Sequence, residues 1–276
     1  MQDNIINEFN TVSFEELQRL ASMISLEGVS SESFMVESKA RFNQFFLRTD
    51  SFIKQIKFQV LGLGRMNGAA LTAAINKVGY VTAATKDVVV PPGFIGHWLP
   101  YANALETAFK NASQLTGLIN DYNNCLGQLI SDPALLKAYS GIPYSGNGNV
   151  GIADQMAYVG KEFFNLNTDV YKRSLGACLE RVADVPDIYT AMNNAIQLDK
   201  VHPATEVTKL ITRSMELSKK LIPQMDNDSE ASKAVREQLI HLTLNIAKEV
   251  EAYSVALYRM RQFSLAMDDS LKELNK

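Results

Sequence analysis

The sequence is poor in the residues that metal and redox chemistry use, and it lacks long apolar runs. Only two cysteines, Cys125 and Cys178, and three histidines occur in 276 residues. Because the two cysteines are few and far apart in sequence, they are interpreted as core side chains of a protein in a reducing compartment. A disulfide or a pair of metal ligands is the less favoured alternative. No stretch approaches the roughly 20 apolar residues of a membrane-spanning helix, and the polar N-terminus lacks the features of a signal peptide. These absences predict a soluble, intracellular protein.

Neither sign of charge is in large excess. The 27 lysines and arginines oppose 30 aspartates and glutamates, which gives a formal charge of -3. Phosphate backbones and anionic lipid surfaces attract proteins with a cationic excess. The balance therefore argues against nucleic acid as the main partner, while a hydrophobic content of 46% is that of a globular protein.

Helical periodicity fills most of the sequence. Ser13 and Glu16 have the spacing of a capping box, and glycine and proline divide the periodic stretches that follow. This pattern predicts helices over about 13–23, 31–60, 69–77, 99–130, 133–140, 153–181, 186–198, 203–221 and 229–275. The aromatic residues of the second helix are interpreted as core rather than as a binding stripe: Phe34, Phe42, Phe45, Phe46, Phe52 and Phe58.

The last predicted helix carries the longest apolar seam. From Val235 to Leu274 apolar residues recur in alternating steps of four and three. The predicted helix over about 229–275 measures about 70 Å at 1.5 Å per residue. Its seam must pack against other helices of the chain or against a second copy, which would make a homo-oligomer. The predicted fold is all-α, an elongated bundle of long helices.

One stretch departs from the helical pattern. Between residues 79 and 94, β-branched and aromatic residues predict a short hairpin or extended excursion that ends at Pro91-Pro92-Gly93. Phe94, Trp98 and Tyr101 follow directly. They are interpreted as a wedge that anchors the excursion to the bundle, with partner binding as the alternative.

A glycine-rich loop suggests how the chain is organised. Residues 142–151 contain three glycines and cannot stay helical. This loop predicts a boundary between an N-terminal helical half, 29–141, and a C-terminal half, 152–276, within what is interpreted as one continuous helical domain. Residues 1–28 are treated as a separate N-terminal segment.

The same loop contains the strongest formal motif. Residues 146–151 match the glycine fingerprint of dinucleotide-binding proteins, but that chemistry needs a preceding parallel strand, and a helical segment precedes the loop here. The motif is therefore interpreted as a flexible connection. His241 and Glu237 share a helix face without the further ligands of a metal site. The sequence predicts no catalytic, cofactor-binding or metal-binding residues, and hence no enzyme.

Two segments resemble the internal head (inner-body) proteins of large myovirus-like bacteriophages. Ser25-Leu26-Glu27, followed by Gly28, is similar to the small-x-Glu sites that prohead proteases cut. The second segment is Val88-Val89-Val90-Pro91-Pro92-Gly93-Phe94-Ile95-Gly96-His97-Trp98-Leu99-Pro100-Tyr101, which lies between two helical regions. The resemblance implies a virion component that is packaged in the phage head, with the residues before Gly28 removable.

Three functional hypotheses follow. The first is a non-enzymatic structural protein of the phage head that acts through protein–protein contacts, because its near-neutral charge does not suit DNA compaction. The second is a helical adaptor, or a phage factor in the host cytoplasm that binds a host protein. The third is a nucleotide-binding enzyme that uses the 146–151 loop.

Overall fold

The structure is a computed structural model, and helices make up most of the residues that it describes. It describes residues 13–25, 32–56, 63–90, 97–132, 134–135, 150–159, 171–201, 204–225 and 230–276. The principal helices are α1 (Phe14–Ser25), α2 (Glu32–Gln55), α3 (Ala69–Val78), α4 (Tyr80–Ala84), α5 (Trp98–Ser131), α6 (Ile152–Val159), α7 (Leu175–Cys178), α8 (Val185–Val201), α9 (Ala204–Leu221) and α10 (Glu230–Leu274). Two short strands, β1 (Asp87–Val90) and β2 (Tyr171–Ser174), and two 3₁₀ turns, Val182–Asp184 and Ile222–Gln224, complete the described elements. The predicted mainly α class is confirmed.

The N-terminal helices follow the sequence pattern closely. The Glu16 backbone N–H donates to the Ser13 hydroxyl oxygen at 3.2 Å, as the predicted cap requires. Four aromatic residues of α2 are buried: Phe42, Phe45, Phe46 and Phe52. They are core residues, as predicted, whereas the side chains of Phe34 and Phe58 lie outside the described residues.

Helix α10 is continuous over 45 residues, which confirms the longest helix predicted. The seam residues that are buried are Val235, Leu239, Leu242, Ile246, Val250, Tyr253, Leu257, Met260, Phe263, Met267 and Leu274. Because this burial arises within a single chain, the chain itself covers the seam and a second copy is not needed for it. The buried surface is also wider than a seam, since it includes the charged residues Glu249 and Arg259.

Of the predicted extended excursion over 79–94, the structure confirms a strand at Asp87–Val90, whose partner is distant in sequence, and residues 91–94 lie outside the described residues. Strand β1 pairs antiparallel with β2, so that Asp87 lies opposite Ser174. The prediction of helix over 153–181 was therefore wrong at β2. The alternation of buried Val88 and Val90 explains β1. Backbone pairing to β1, which periodicity cannot reveal, explains why the polar β2 segment is extended.

Residues 80–84 were expected to be extended and form α4 instead. Gly79 has a φ of 80°, a conformation that suits glycine, and it separates α3 from α4. The Tyr80 hydroxyl lies 2.6 Å from the carbonyl oxygen of Leu179 and 2.7 Å from that of Glu180. Ala83 is fully buried. These tertiary contacts outweigh the β propensity of the intervening residues.

Contacts divide the chain into two compact units. Unit 1 comprises Met1–Lys57, Leu115–Asn149 and Thr205–Glu251, and unit 2 comprises Phe58–Gln114, Val150–Ala204 and Ala252–Lys276. Each unit thus contains residues from before and after the glycine-rich loop. Residues 142–149 of that loop lie outside the described residues. Helices α5 and α10 each contribute to both units.

A half-buried carboxylate in unit 2 makes stability depend on pH. The Tyr253 hydroxyl donates to Asp199 Oδ1 at 3.1 Å. Burial raises the pKa of Asp199 above its ordinary value of 3.8, and this hydrogen bond opposes the rise only in part. The folded state therefore holds the proton more tightly than the unfolded chain, and this contribution to stability is lost as pH rises through the raised pKa.

Asp199→Asn removes the charge, while its amide oxygen still accepts from Tyr253. We expect a higher free energy of unfolding at neutral pH and a smaller decline between acidic and neutral pH. Urea unfolding at a series of pH values measures both. Asp187→Asn, at an exposed position of the same helix, is the control and should change neither. A less stable Asp199→Asn protein at neutral pH would contradict the assignment.

Candidate functional site

The predicted processing site begins where a helix ends. Ser25 is the last residue of α1, and Leu26 and Glu27 lie outside the described residues, as does Phe94. Two of the other small-x-Glu sequences, those ending at Glu15 and Glu32, have that glutamate within a helix.

Trp98 and Tyr101 are buried rather than exposed to solvent. Both lie on the first turn of α5, with exposed fractions of 0% and 1%. The Phe263 ring lies edge-on to both, with centroid distances of 6.2 Å to Trp98 and 5.0 Å to Tyr101. This packing favours the anchoring role that the sequence left open, and we do not propose these two side chains as partner contacts.

A buried arginine accompanies these aromatic residues. Arg259 is fully buried, and its Nη1 donates to Gln262 Oε1 at 2.8 Å. Its guanidinium carbon lies 6.0 Å from the ring centroid of Tyr258, within the range of a cation–π contact. Burial lowers the pKa of Arg259 and raises that of Tyr101. The sequence did not reveal this group, because an arginine on a helix usually faces solvent.

A cleft of about 850 Å³ lies in unit 2, between α3 and α8. One wall is formed by α3 and the segment before it: Arg65, Met66, Asn67, Gly68, Ala69, Thr72, Ala73 and Asn76. The facing wall of α8 is formed by Pro186, Tyr189, Thr190 and Asn193. Its volume is that of a ligand-binding pocket.

Two contacts fix the walls of the cleft relative to each other. The Asn193 side chain donates to the Met66 carbonyl oxygen at 2.9 Å and accepts from the Met66 N–H at 2.8 Å. Gly68 lies against the Tyr189 ring, where a Cβ atom would come within 2.7 Å of Tyr189 Cδ2. Only glycine permits this approach without displacement of the ring. The cleft is therefore preformed at one end.

Several polar groups of the cleft are already engaged. The Thr72 hydroxyl donates to the Gly68 carbonyl oxygen at 3.2 Å, and the Thr190 hydroxyl donates to that of Pro186 at 2.8 Å. Burial, followed by the charge of Asp268, raises the pKa of Tyr189 to about 12. Tyr189 is therefore neutral at physiological pH.

Two side chains of the cleft remain available for a ligand. Arg65 is exposed and has no ion-pair partner among the described residues, and Asn76 is exposed with no hydrogen-bond partner among them. The described residues of the lining include no carboxylate, imidazole or thiol. What they offer is hydrogen-bond donors, amide oxygens and one permanent positive charge.

The sequence contains one signal for this cleft, which the net charge of the whole chain does not reveal. Residues 51–86 contain five basic residues and no aspartate or glutamate, although the whole chain has a charge of -3. The α3 wall falls inside this stretch. The signal is local, so a net charge for the whole chain hides it.

The described part of the chain contains no metal cluster and no membrane span. No group of three or more histidine, cysteine, aspartate or glutamate side chains is placed to hold a metal ion among these residues. No described helix combines the length and apolarity needed to cross a bilayer. Cys125 and Cys178 are both free and buried, as predicted for core thiols.

Residues 146–149 of the glycine fingerprint lie outside the described residues. Of the remainder, Gly151 has a φ of 75° and immediately precedes α6. The interpretation of this loop as a flexible connection therefore stays a prediction, and nucleotide binding there stays the third hypothesis. No known relative guides the choice between sites, because no protein family, curated protein or solved structure matches the chain.

Proposed function

We propose that this protein is a non-enzymatic component of the head of a large tailed phage and acts through contacts with other proteins. The observation that carries the protein-contact part is the chemistry of the α3–α8 cleft. Amide groups, hydroxyl groups and a guanidinium group bind by hydrogen bonds and charge. The two threonine hydroxyls donate to helix carbonyls, so neither is paired with a base as a nucleophile requires.

The phage part of the proposal rests on the resemblance of two segments. Ser25-Leu26-Glu27 resembles a prohead-protease site, and the Val88–Tyr101 segment resembles its counterpart in internal head proteins. Of this segment the structure describes only Ser25, the last residue given for α1, so the cleavage part of the proposal rests on the resemblance.

Intact virions test this proposal directly. We expect mass spectrometry of purified particles to detect the chain, with Gly28 as its first residue, whereas lysate from early infection contains the chain with Met1. Absence from particles, together with abundance in the lysate and stoichiometric binding to a host protein, would instead support the adaptor hypothesis.

Two matched variants identify the cut. Glu27→Gln should leave the particle-associated chain at full length, because the protease would lose the carboxylate that it recognises. Glu15→Gln changes the same kind of motif inside the first turn of α1 and should leave processing unchanged. Removal of the segment before Gly28 in the Glu27→Gln chain would refute the assigned site.

A further inference from the structure

We propose that the α3–α8 cleft binds an extended acidic peptide segment of a partner protein, with Arg65 pairing a carboxylate and Asn76 bonding to the peptide backbone. The inference rests on the proposed function, because it names the chemistry of the protein contact. It does not depend on where in the infection cycle that contact is made.

The shape of the cleft suits an extended segment. Lining residues on α3 run from Ala69 to Asn76, and those on α8 from Pro186 to Asn193. Each set spans about two helical turns, or roughly 10 Å. A strand rises about 3.3 Å per residue, so roughly three residues of a peptide would fill this length. Ala69 and Ala73 leave room for a peptide backbone to approach α3 closely.

The charge of the site selects the peptide. Arg65 is the only charged residue among the described lining, and no aspartate or glutamate lies between residues 51 and 86. A guanidinium pairs a carboxylate through two parallel N–H donors. Asp187, an exposed residue of α8, is not part of the lining. A carboxylate beside Arg65 would thus meet one cation and no acid of the described lining, whereas the charge of Asp268 acts on the Tyr189 side of the cleft.

The same residues argue against nucleic acid. Binding to a phosphate backbone needs several cations, and the lining supplies one. Single-stranded bases also need an exposed aromatic face for stacking, and Tyr189 is only 7% exposed. Peptide amides, by contrast, match the donor and acceptor groups of an asparagine such as Asn76.

The test uses the purified full chain and two short fluorescent peptides, one of glutamates flanked by glycines and one with every glutamate replaced by glutamine. Fluorescence anisotropy measures the dissociation constant, and NMR of the asparagine side-chain amides shows where the peptide lies. We expect the glutamate peptide to bind at least tenfold more tightly and to shift the Asn76 signals.

Three variants locate the interaction. Arg65→Gln should weaken binding of the glutamate peptide about tenfold. Ala73→Trp fills the cleft and should abolish binding. Arg261→Gln removes the same charge from an exposed position of α10 in the same unit and should leave binding unchanged. Thermal unfolding verifies that each variant is folded, which the exposure of all three positions favours.

Four results would overturn the inference. They are no binding of the glutamate peptide, equal binding of both peptides, equal losses in Arg65→Gln and Arg261→Gln, and binding of inorganic phosphate or oligothymidine in its place. None of them would affect the detection of the chain in virions, so the two proposals can fail separately.

Discussion

Phe263→Ala is expected to lower the free energy of unfolding by about 3–5 kcal/mol, the usual cost of removing a buried phenylalanine ring. Phe263 is fully buried on α10, and its ring lies edge-on to those of Trp98 and Tyr101. The substitution leaves a cavity and removes two aromatic contacts, each worth about 0.5–1.5 kcal/mol beyond simple burial. Since small proteins are stable by about 5–15 kcal/mol, the loss would be severe.

Denaturant unfolding followed by tryptophan fluorescence measures this effect. Trp98 is the only tryptophan in the chain, and its ring centroid lies 6.2 Å from that of Phe263, so its emission also reports on the cavity. Leu265→Ala, two residues along the same helix, is the control, because Leu265 is 57% exposed. It should change stability by less than about 0.5 kcal/mol. Equal effects of the two substitutions would show that the aromatic cluster is not a core.

This cluster shows what the sequence predicts well and what it leaves open. Spacing alone placed Phe263 and Met267 on the inner face of α10, because burial of a helix follows its 3.6-residue period. Spacing could not reveal that Trp98 packs on Phe263, since the two residues are distant in sequence. A proline–glycine segment followed by aromatic residues looks the same whether the rings anchor a loop or bind a partner.

The errors near β1 and β2 have the same origin. The Asp87–Val90 segment contains three consecutive β-branched valines, and the sequence predicted extended backbone there on that ground. Tyr171–Ser174 has no such pattern and is extended because it pairs with β1. Conversely, Tyr80–Ala84 is helical despite β-branched residues, because Tyr80 and Ala83 make tertiary contacts. Long-range pairing decides short segments, whereas periodicity decides long helices.

The cleft could not be predicted from motifs. Its walls depend on the contact between Asn193 and Met66 and on the fit of Gly68 against Tyr189. Each pair joins residues more than a hundred positions apart, and none of the four residue types is diagnostic of binding. In the sequence, only the acid-free stretch that contains Arg65 points to it.

Ala256→Pro tests the feature on which the fold most depends, the continuity of α10. Ala256 lies deep within this 45-residue helix and is fully buried. Proline there removes one backbone donor, and its ring collides with the carbonyl group of residue 252, at a cost of about 3 kcal/mol or more. We expect a large loss of stability, measured by urea unfolding, and a loss of helical circular dichroism.

Ala231→Pro is the matched control, because residue 231 lies in the first turn of α10. Its N–H has no carbonyl partner four residues earlier within the helix, so a proline removes no helical hydrogen bond there. The stability of this variant should stay within about 0.5 kcal/mol of the unmodified chain. If Ala256→Pro were tolerated as well as Ala231→Pro, α10 would have to be interrupted near residue 256. The buried residues from Val235 to Leu274 could then not all lie on one helix.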